Sequence, residues 1–331
     1  MAAKSWKEWE RPLLELEQSL AQLRARIAQE PEHRREELLA KVAEYERRRD
    51  QHIQVKYSRL GPWEKVLVAR AEPRPYTLDY INAIFEEFLE LDGDRLYGSD
   101  HAIVGGPALL HGQAVMVVGH QKGRDIQDRQ YRNFAMSKPE GYRKAIRLFE
   151  MADRFGLPVI TFVDTPAADP GVESESRGIS EAIASSMLCM FGLRVPVVSI
   201  VIGEGGSGGA IGIACANVVL MQEHAIYSVI PPEGCAAILW RKPEEGPKAA
   251  AALKLTATSA LEFDLIDRIV EEPFGGAHRD PLAAAEKVQE ALMTSLQALD
   301  AMSPDALKAQ RYEKFRKMGR FAEAVLAESR D

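Results

Sequence analysis

Six glycines fall inside one otherwise apolar run, IVIGEGGSGGAIGIA from Ile200 to Ala214, and backbone this bare suits three different chemistries. Gly203, Gly205 and Gly208 match the dinucleotide fingerprint G-x-G-x-x-G after a strand-like run, with Glu223 twenty residues beyond the first glycine. Ser207, flanked by glycines on both sides, satisfies the G-x-S-x-G nucleophile elbow, with His224 and His278 downstream as candidate bases. Alternatively, the successive amides of Gly205 and Gly206, with a helix dipole behind them, form a hole for an oxygen that gains negative charge during a reaction. The fingerprint normally opens its domain, and here it lies some 200 residues in, on a short crossover from Val197 to Gln222. The elbow lacks a pattern that nominates its acid and its histidine. Gly208, Gly209 and Gly212 read as packing positions, whereas Gly205 and Gly206, beside the strand end, favour the hole.

Two further stretches carry chemistry. Between Lys122 and Arg147, the cations Lys122, Arg124, Arg129, Arg132, Lys138, Arg143, Lys144 and Arg147 outnumber Asp125, Asp128 and Glu140. They form either a solvated face or a contact for phosphates, with Lys122 and Arg124 as candidate substrate-binding residues. Asp164-Thr165-Pro166 reads as a turn, and Gly171 in DPGVES is placed to bring backbone close to a ligand.

These residues need a scaffold, and the alternation of elements describes one. Strand runs VITFVDT, VVSIVIG and VVLMQ are separated by helical runs, Pro139 to Phe155 and about Glu175 to Phe191, and the Gly-opened helix, with IYSVI following. Such alternation implies crossover units and a largely parallel sheet covered by helices, an α/β fold with sites at the carboxyl ends of its strands. Before it, Ala102 to Leu110 and Ala114 to His120 read as a hairpin, and TLDYINAIFEEFLEL, Thr77 to Leu91, as an amphipathic helix capped by Thr77. At the N-terminus, Trp6, Trp9, Leu13, Leu16, Leu20, Leu23 and Ile27 share one helical stripe, Pro31 ends it, and a return helix runs to about Tyr57. That hairpin either folds back on its own chain or docks on another. Helices from Pro281 to Leu299 and from Pro304 to Ala327 close the chain. The resulting division is residues 1–75 as a helical docking segment, 76–275 as the core and 276–331 as C-terminal helices.

Composition narrows the function classes. The 331 residues are 46% hydrophobic and 27% charged, enough apolar matter for a sizeable core, and the net charge of −7 argues against nucleic-acid or anionic-membrane binding. No apolar run reaches the roughly 20 residues of a membrane span, and the N-terminus lacks the apolar core of a signal peptide. Cys189, Cys215 and Cys235 are too scattered for a disulfide framework or zinc ribbon, and no histidines pair at metal-ligand spacing. A cytoplasmic location with reduced thiols is the expectation, with no metal held by this chain.

The words GEGGSGGA, IYSVIPPEGCAAILW, EPFGGAHRDP, RPYTLDY, GHQKGR, PEGYRKA, ITFVDTP and RGISEAIA together resemble the alpha subunit of bacterial acetyl-CoA carboxylase carboxyltransferase, from about Arg74 to Pro281. The resemblance implies a crotonase-like fold, a repeated strand-strand-helix spiral. It also implies carboxyl transfer from carboxybiotin, borne on a biotin carboxyl carrier protein, to acetyl-CoA, yielding malonyl-CoA for fatty-acid synthesis. It implies an α2β2 unit that joins biotin carboxylase in the full complex, with zinc in the beta subunit. Gly205 and Gly206 would then be the donors to the biotin ureido oxygen. The loop after VITFVDT departs from the family's usual DTPGAYPGVGAEERG at Ala167, Asp169 and Glu173-Ser174-Glu175-Ser176. Other readings on the same fold are an enoyl-CoA hydratase or isomerase using Glu204, and a non-catalytic scaffold.

Overall fold

The computed structural model describes residues 5–319. It begins with the expected hairpin, α1 (Trp6–Ile27) and α2 (Glu32–Tyr57), followed by α3 (Pro62–Ala69) and α4 (Thr77–Ile84). Strands β1 (Ile103–Leu110) and β2 (Gln113–His120) come next, then α5 (Ile126–Tyr131), α6 (Pro139–Phe155) and β3 (Val159–Thr165). The chain continues through α7 (Val172–Ser176), α8 (Ile179–Gly192), β4 (Val197–Gly206), α9 (Ser207–Ile211), β5 (Val218–Gln222) and β6 (Ile226–Ser228). It ends with α10 (Pro232–Trp240), α11 (Gly246–Leu253), α12 (Ala257–Glu262), β7 (Arg268–Val270), α13 (Pro281–Asp300) and α14 (Pro304–Arg316).

The sheet runs β1-β2-β3-β4-β5-β7, with β6 paired to the far end of β4. Among the described strands only β1 and β2 pair with each other antiparallel, joined by His111 and Gly112, both at positive φ, so the turn is two residues long. Every later pairing is parallel. Strands buried on both faces read as apolar runs rather than alternating ones. Along β4, Val197 and Val201 face Tyr142, Leu148 and Phe149 of α6 and Met190 of α8. Val198, Ile200 and Ile202 turn the other way, toward Tyr80 and Ile81 of α4 and Val288, Leu292 and Leu296 of α13. Each such side chain contributes about 1.5–3 kcal/mol on burial, so β4 is fixed from both faces.

The hairpin folds back on its own chain at its base. Trp6 packs with Trp63, Val66 and Ile226, and Arg279 forms ion pairs with Glu10 and Glu17. Two expectations are corrected. The helix begun at Thr77 stops at Ile84, and Tyr76 occupies the cap position, its amide held by Asp79 at 2.6 Å. Phe85 is extended, and Glu86, Leu89 and Leu91 donate to Leu109, Pro107 and Gly105 at 2.9, 3.0 and 2.9 Å, covering the outer edge of β1. An uncovered edge would leave that row of backbone groups unpaired, which outweighs the helical pattern. At the C-terminus, α14 ends at Arg316 with Lys317 as its cap, short of the expected Ala327, and the part of that expectation from residue 320 on lies outside the described residues.

Candidate active site

Gly205 and Gly206 are the last residues of β4, and Ser207, at φ 52°, turns the chain into α9. The pair takes part in the sheet: Gly205 is in register with Thr165 of β3 and Tyr227 of β6, and Gly206 with Ser228. Close approach makes glycine obligatory here. A Cβ on Gly206 would lie 2.0 Å from the Pro166 carbonyl oxygen, and one on Gly203 would lie 2.3 Å from Asp164 Oδ1. Gly208, expected to serve packing, meets nothing nearer than Ile183 at 3.5 Å, an ordinary contact, whereas Gly209 presses on the Ala167–Ala168 backbone.

The β3–β4 register slips just before the glycine pair: Val163 faces Val201, but Thr165 faces Gly205. Two residues on β3 therefore span four on β4. In this bulge the Glu204 amide donates to Asp164 Oδ1 at 2.8 Å, and the Ile202 carbonyl accepts from Arg74 Nε at 2.7 Å. Lys122 Nζ lies 2.7 Å from Asp164 and 3.1 Å from Glu204, and Arg70 reaches Glu204 at 2.8 Å and Glu233 at 2.6 Å. Burial alone would raise the Glu204 carboxyl, but Lys122 and Arg70 bring it down to about 2. Burial raises the Asp164 carboxyl against the pull of Lys122, and the two carboxylates raise Lys122 despite its burial.

Two depressions meet at Pro166 and Glu204. One, of about 240 Å³, is lined by Arg70, Glu72, Tyr76, Lys122, Gly123, Arg129 and Phe134. The other is a shallow cleft walled by Ile226, Ile230, Pro231 and Pro232 around Gly205 and Gly206. The site thus offers backbone, apolar walls and a clamped ion network.

The remaining sequence candidates fare unevenly. Lys122 is in the site, but its charge is committed to Asp164 and Glu204. Arg124 lies over the Tyr76 ring at 3.8 Å, pairs with Asp79 and donates to the Glu72 and Arg74 carbonyls at 2.8 and 2.9 Å. A phosphate would have to displace carboxylates from both cations. Gly171 precedes α7 at φ −68°, and its nearest neighbour is the flexible Asp169 carboxylate at 3.1 Å, so no close backbone approach requires a glycine there. Much of the basic segment is likewise spent internally: Arg143 donates to the Arg177 carbonyl at 2.6 Å, and Lys144 pairs with Asp92 at 2.9 Å. Asp164 does more than turn the chain, since it holds the bulge.

Ser207 has no hydrogen bond to a histidine among the described residues. His224 and His278 are buried against Tyr57, beside the N-terminal hairpin, so the elbow lacks its base. The fingerprint reading loses its tight turn, because Gly203 and Gly205 are inside β4 and the following helix has five residues. Glu204 is no poised base either: Lys122 and Arg70 hold its carboxyl at about 2, which makes the carboxylate a weak base, and both its oxygens are engaged. Among the described residues no cluster of three or more His, Cys, Asp or Glu could hold a metal. Arg70 and Glu233 escaped the sequence reading. Arg70 stands 134 residues from Glu204, and no local spacing links them.

A mostly parallel sheet carrying a bare strand end between apolar walls is the crotonase-like fold, which solved carboxyltransferases also adopt. The fold is shared with transcarboxylase 12S in complex with methylmalonyl-coenzyme A (TM-score 0.53, 20% identity, 66% of this chain and 41% of that one). It is also shared with the Pseudomonas malonate decarboxylase hetero-dimer (TM-score 0.53, 18% identity, 65% and 88%). The model of the family "acetyl co-enzyme A carboxylase carboxyltransferase-like" matches residues 6–319, and the chain belongs to that family. It is 53% identical over 323 residues to the acetyl-coenzyme A carboxylase carboxyl transferase subunit alpha of Geobacter metallireducens, covering 98% of this chain and 100% of that one. To the subunit of the same name from Thermus thermophilus it is 52% identical over 316 residues, with 96% and 99% covered.

Proposed function

We propose that this chain is the alpha-type carboxyl transferase subunit of an acetyl-CoA carboxylase, moving a carboxyl group from carboxybiotin on a separate carrier protein to acetyl-CoA to form malonyl-CoA. The observation that carries the proposal is end-to-end identity of about half with carboxyl transferase alpha subunits, in a chain whose β4 ends on a glycine, Gly206, that close backbone approach requires. The cleft at Gly205 and Gly206 has a backbone floor and walls that include isoleucine and proline. Because it is shallow, a second chain must close it, and a beta subunit that supplies the acetyl-CoA half of the site and the zinc fits that need.

Carboxybiotin supplies the carboxyl group and, as the group departs, a ureido oxygen that gains negative charge. The contribution of this chain is electrostatic. Amide donors at Gly205 and Gly206 stabilise that oxygen more after departure than before, so they lower the barrier rather than merely bind. The apolar walls keep water from competing for those donors. Lys122 and Arg70 hold Glu204 ionised and immobile, so no side chain of the loop offers a competing base. For the CoA phosphates, Arg129 is the cation of the adjoining depression with the loosest ion pair, 4.0 Å from Glu72. No helix among the described residues is long and apolar enough to cross a membrane.

The test is reconstitution. The purified chain alone should be inactive, and addition of its beta subunit should give carboxyl transfer from malonyl-CoA to biotin. Full activity from the isolated chain would overturn the shared site.

A further inference from the structure

Gly205 is the last residue of β4 to pair with β3, Gly206 pairs with Ser228 of β6, and the position of the two is not set by the regular β3–β4 ladder. From Val163 to Thr165, β3 advances two residues while β4 advances four, so β4 carries surplus backbone immediately before Gly205. A bulge of this kind leaves donors and acceptors without ladder partners and re-aims the residues beyond it. Here side chains supply the missing partners. Asp164 Oδ1 takes the Glu204 amide at 2.8 Å, and Arg74 Nε donates to the Ile202 carbonyl at 2.7 Å. Gly203 lacks a side chain where one would strike the Asp164 carboxylate.

Asp164 is in turn locked by Lys122, 2.7 Å away, and Lys122 also holds Glu204. Arg70, which caps the C-terminal end of α3, bridges Glu204 on the strand and Glu233 on α10. The first of these contacts fixes the floor of the cleft, and the second fixes its wall, where Pro231 and Pro232 stand. One guanidinium therefore sets the gap between floor and wall.

We infer that Asp164 and Arg70 are positioning residues for the amide donors: Asp164 shapes the bulge that aims Gly205 and Gly206, and Arg70 sets the width of the cleft above them. Neither needs to touch the reacting atoms. The inference rests on the reading of Gly205 and Gly206 as donors, and its consequence is that rate, rather than binding, depends on two side chains outside the cleft's glycine floor. A donor displaced by about 1 Å loses most of its effect on a developing charge, because such a site acts through preorganisation.

The experiment uses the reconstituted complex with its beta subunit, following carboxyl transfer from malonyl-CoA to biotin and, in parallel, the assembled mass and thermal midpoint. Asp164→Ala should lower kcat by about 100-fold with the KM for malonyl-CoA unchanged. Asp164→Asn keeps an acceptor for the Glu204 amide and should retain activity within about tenfold of the parent. Should Asp164→Ala fail to assemble, Arg70→Ala decides: kcat should fall at unchanged mass and recover when methylguanidinium is added, since Arg70 lines an open cleft. Equal kcat per assembled complex in all three variants, or a loss in Arg70→Ala that methylguanidinium does not restore, overturns the inference. Failure of the donor reading is separate: replacing Gly206 by glycolate turns its amide into an ester without adding an atom. Unchanged kcat there removes the donor role itself, whatever the Asp164 and Arg70 variants do.

Discussion

Alanine at Gly206 and alanine at Gly208 add the same methyl group two residues apart, and the structure assigns them opposite outcomes. At Gly206 the new Cβ would lie 2.0 Å from the Pro166 carbonyl oxygen, 2.3 Å from the Pro166 carbonyl carbon and 2.8 Å from the Thr165 oxygen. All three are backbone atoms at the end of β3 and just beyond it, so no side chain can swing aside. Restoring a contact of about 3.4 Å requires β4 and that segment to part by more than about 1 Å, at the point where the proposed donors must be held. Misplacement on that scale costs about 100-fold in rate. At Gly208 the nearest atom is Ile183 Cδ1 at 3.5 Å, and the residue lies in the helical run Ser207–Ile211. Alanine there should leave kcat within about twofold and stabilise the fold by up to about 1 kcal/mol through reduced unfolded-state entropy. The assay is carboxyl transfer from malonyl-CoA to biotin by each variant with its beta subunit, with assembled mass as control. Equal losses at both positions, or none at Gly206 with assembly intact, would refute the geometric argument.

Other perturbations test other parts of the molecule. Arg311 is fully buried and donates to the carbonyls of Met190, Leu193 and Val195 and to Asn217, so Arg311→Met, which strands those acceptors, should cost about 3 kcal/mol in chemical denaturation. A cost under about 1 kcal/mol would show that the C-terminal helix is not anchored there. Burial lowers both His120 and His278 from 6.5 to about 3. The folded protein therefore refuses protons that the unfolded chain accepts, and stability is fully present above pH 6.5 and falls as pH drops from there toward 3. The slope is about 1.4 kcal/mol per pH unit for each histidine, and His278→Gln should reduce it measurably in urea titrations. Because Lys122 and Arg70 clamp Glu204 and make its carboxylate a weak base, neither the chain nor its complex should hydrate an enoyl-CoA. A hydratase activity abolished by Glu204→Gln would contradict the site as described.

Elements with a strong local period were legible from the residues alone. The helix Pro139–Phe155 and the strands Val159–Thr165 and Val218–Gln222 lie at the bounds their sequences imply, since a proline start, a glycine stop and an apolar run are local signals. The position of Gly205 and Gly206 at a strand's carboxyl end was legible for the same reason. The helix beginning at Thr77 was overextended because its last residues serve the edge of β1, a demand that no window of the sequence contains. The cations misled in a similar way. Residue types in the segment from Lys122 to Arg147 announce positive charge but not its partners, and those lie far off in the chain, 82 residues away for Lys122 and Glu204.

The chain by itself thus determined the set of elements, their alternation and the bare strand end, because caps, periodicity and glycine act within a few residues. Only the tertiary structure decided that Asp164 stands in for a ladder carbonyl, that Arg70 spans the cleft, and that Gly206 is forced by backbone pressed against backbone. Contacts between residues 40 to 163 positions apart arise from packing, and packing energy is shared across the whole sheet rather than written at any one position.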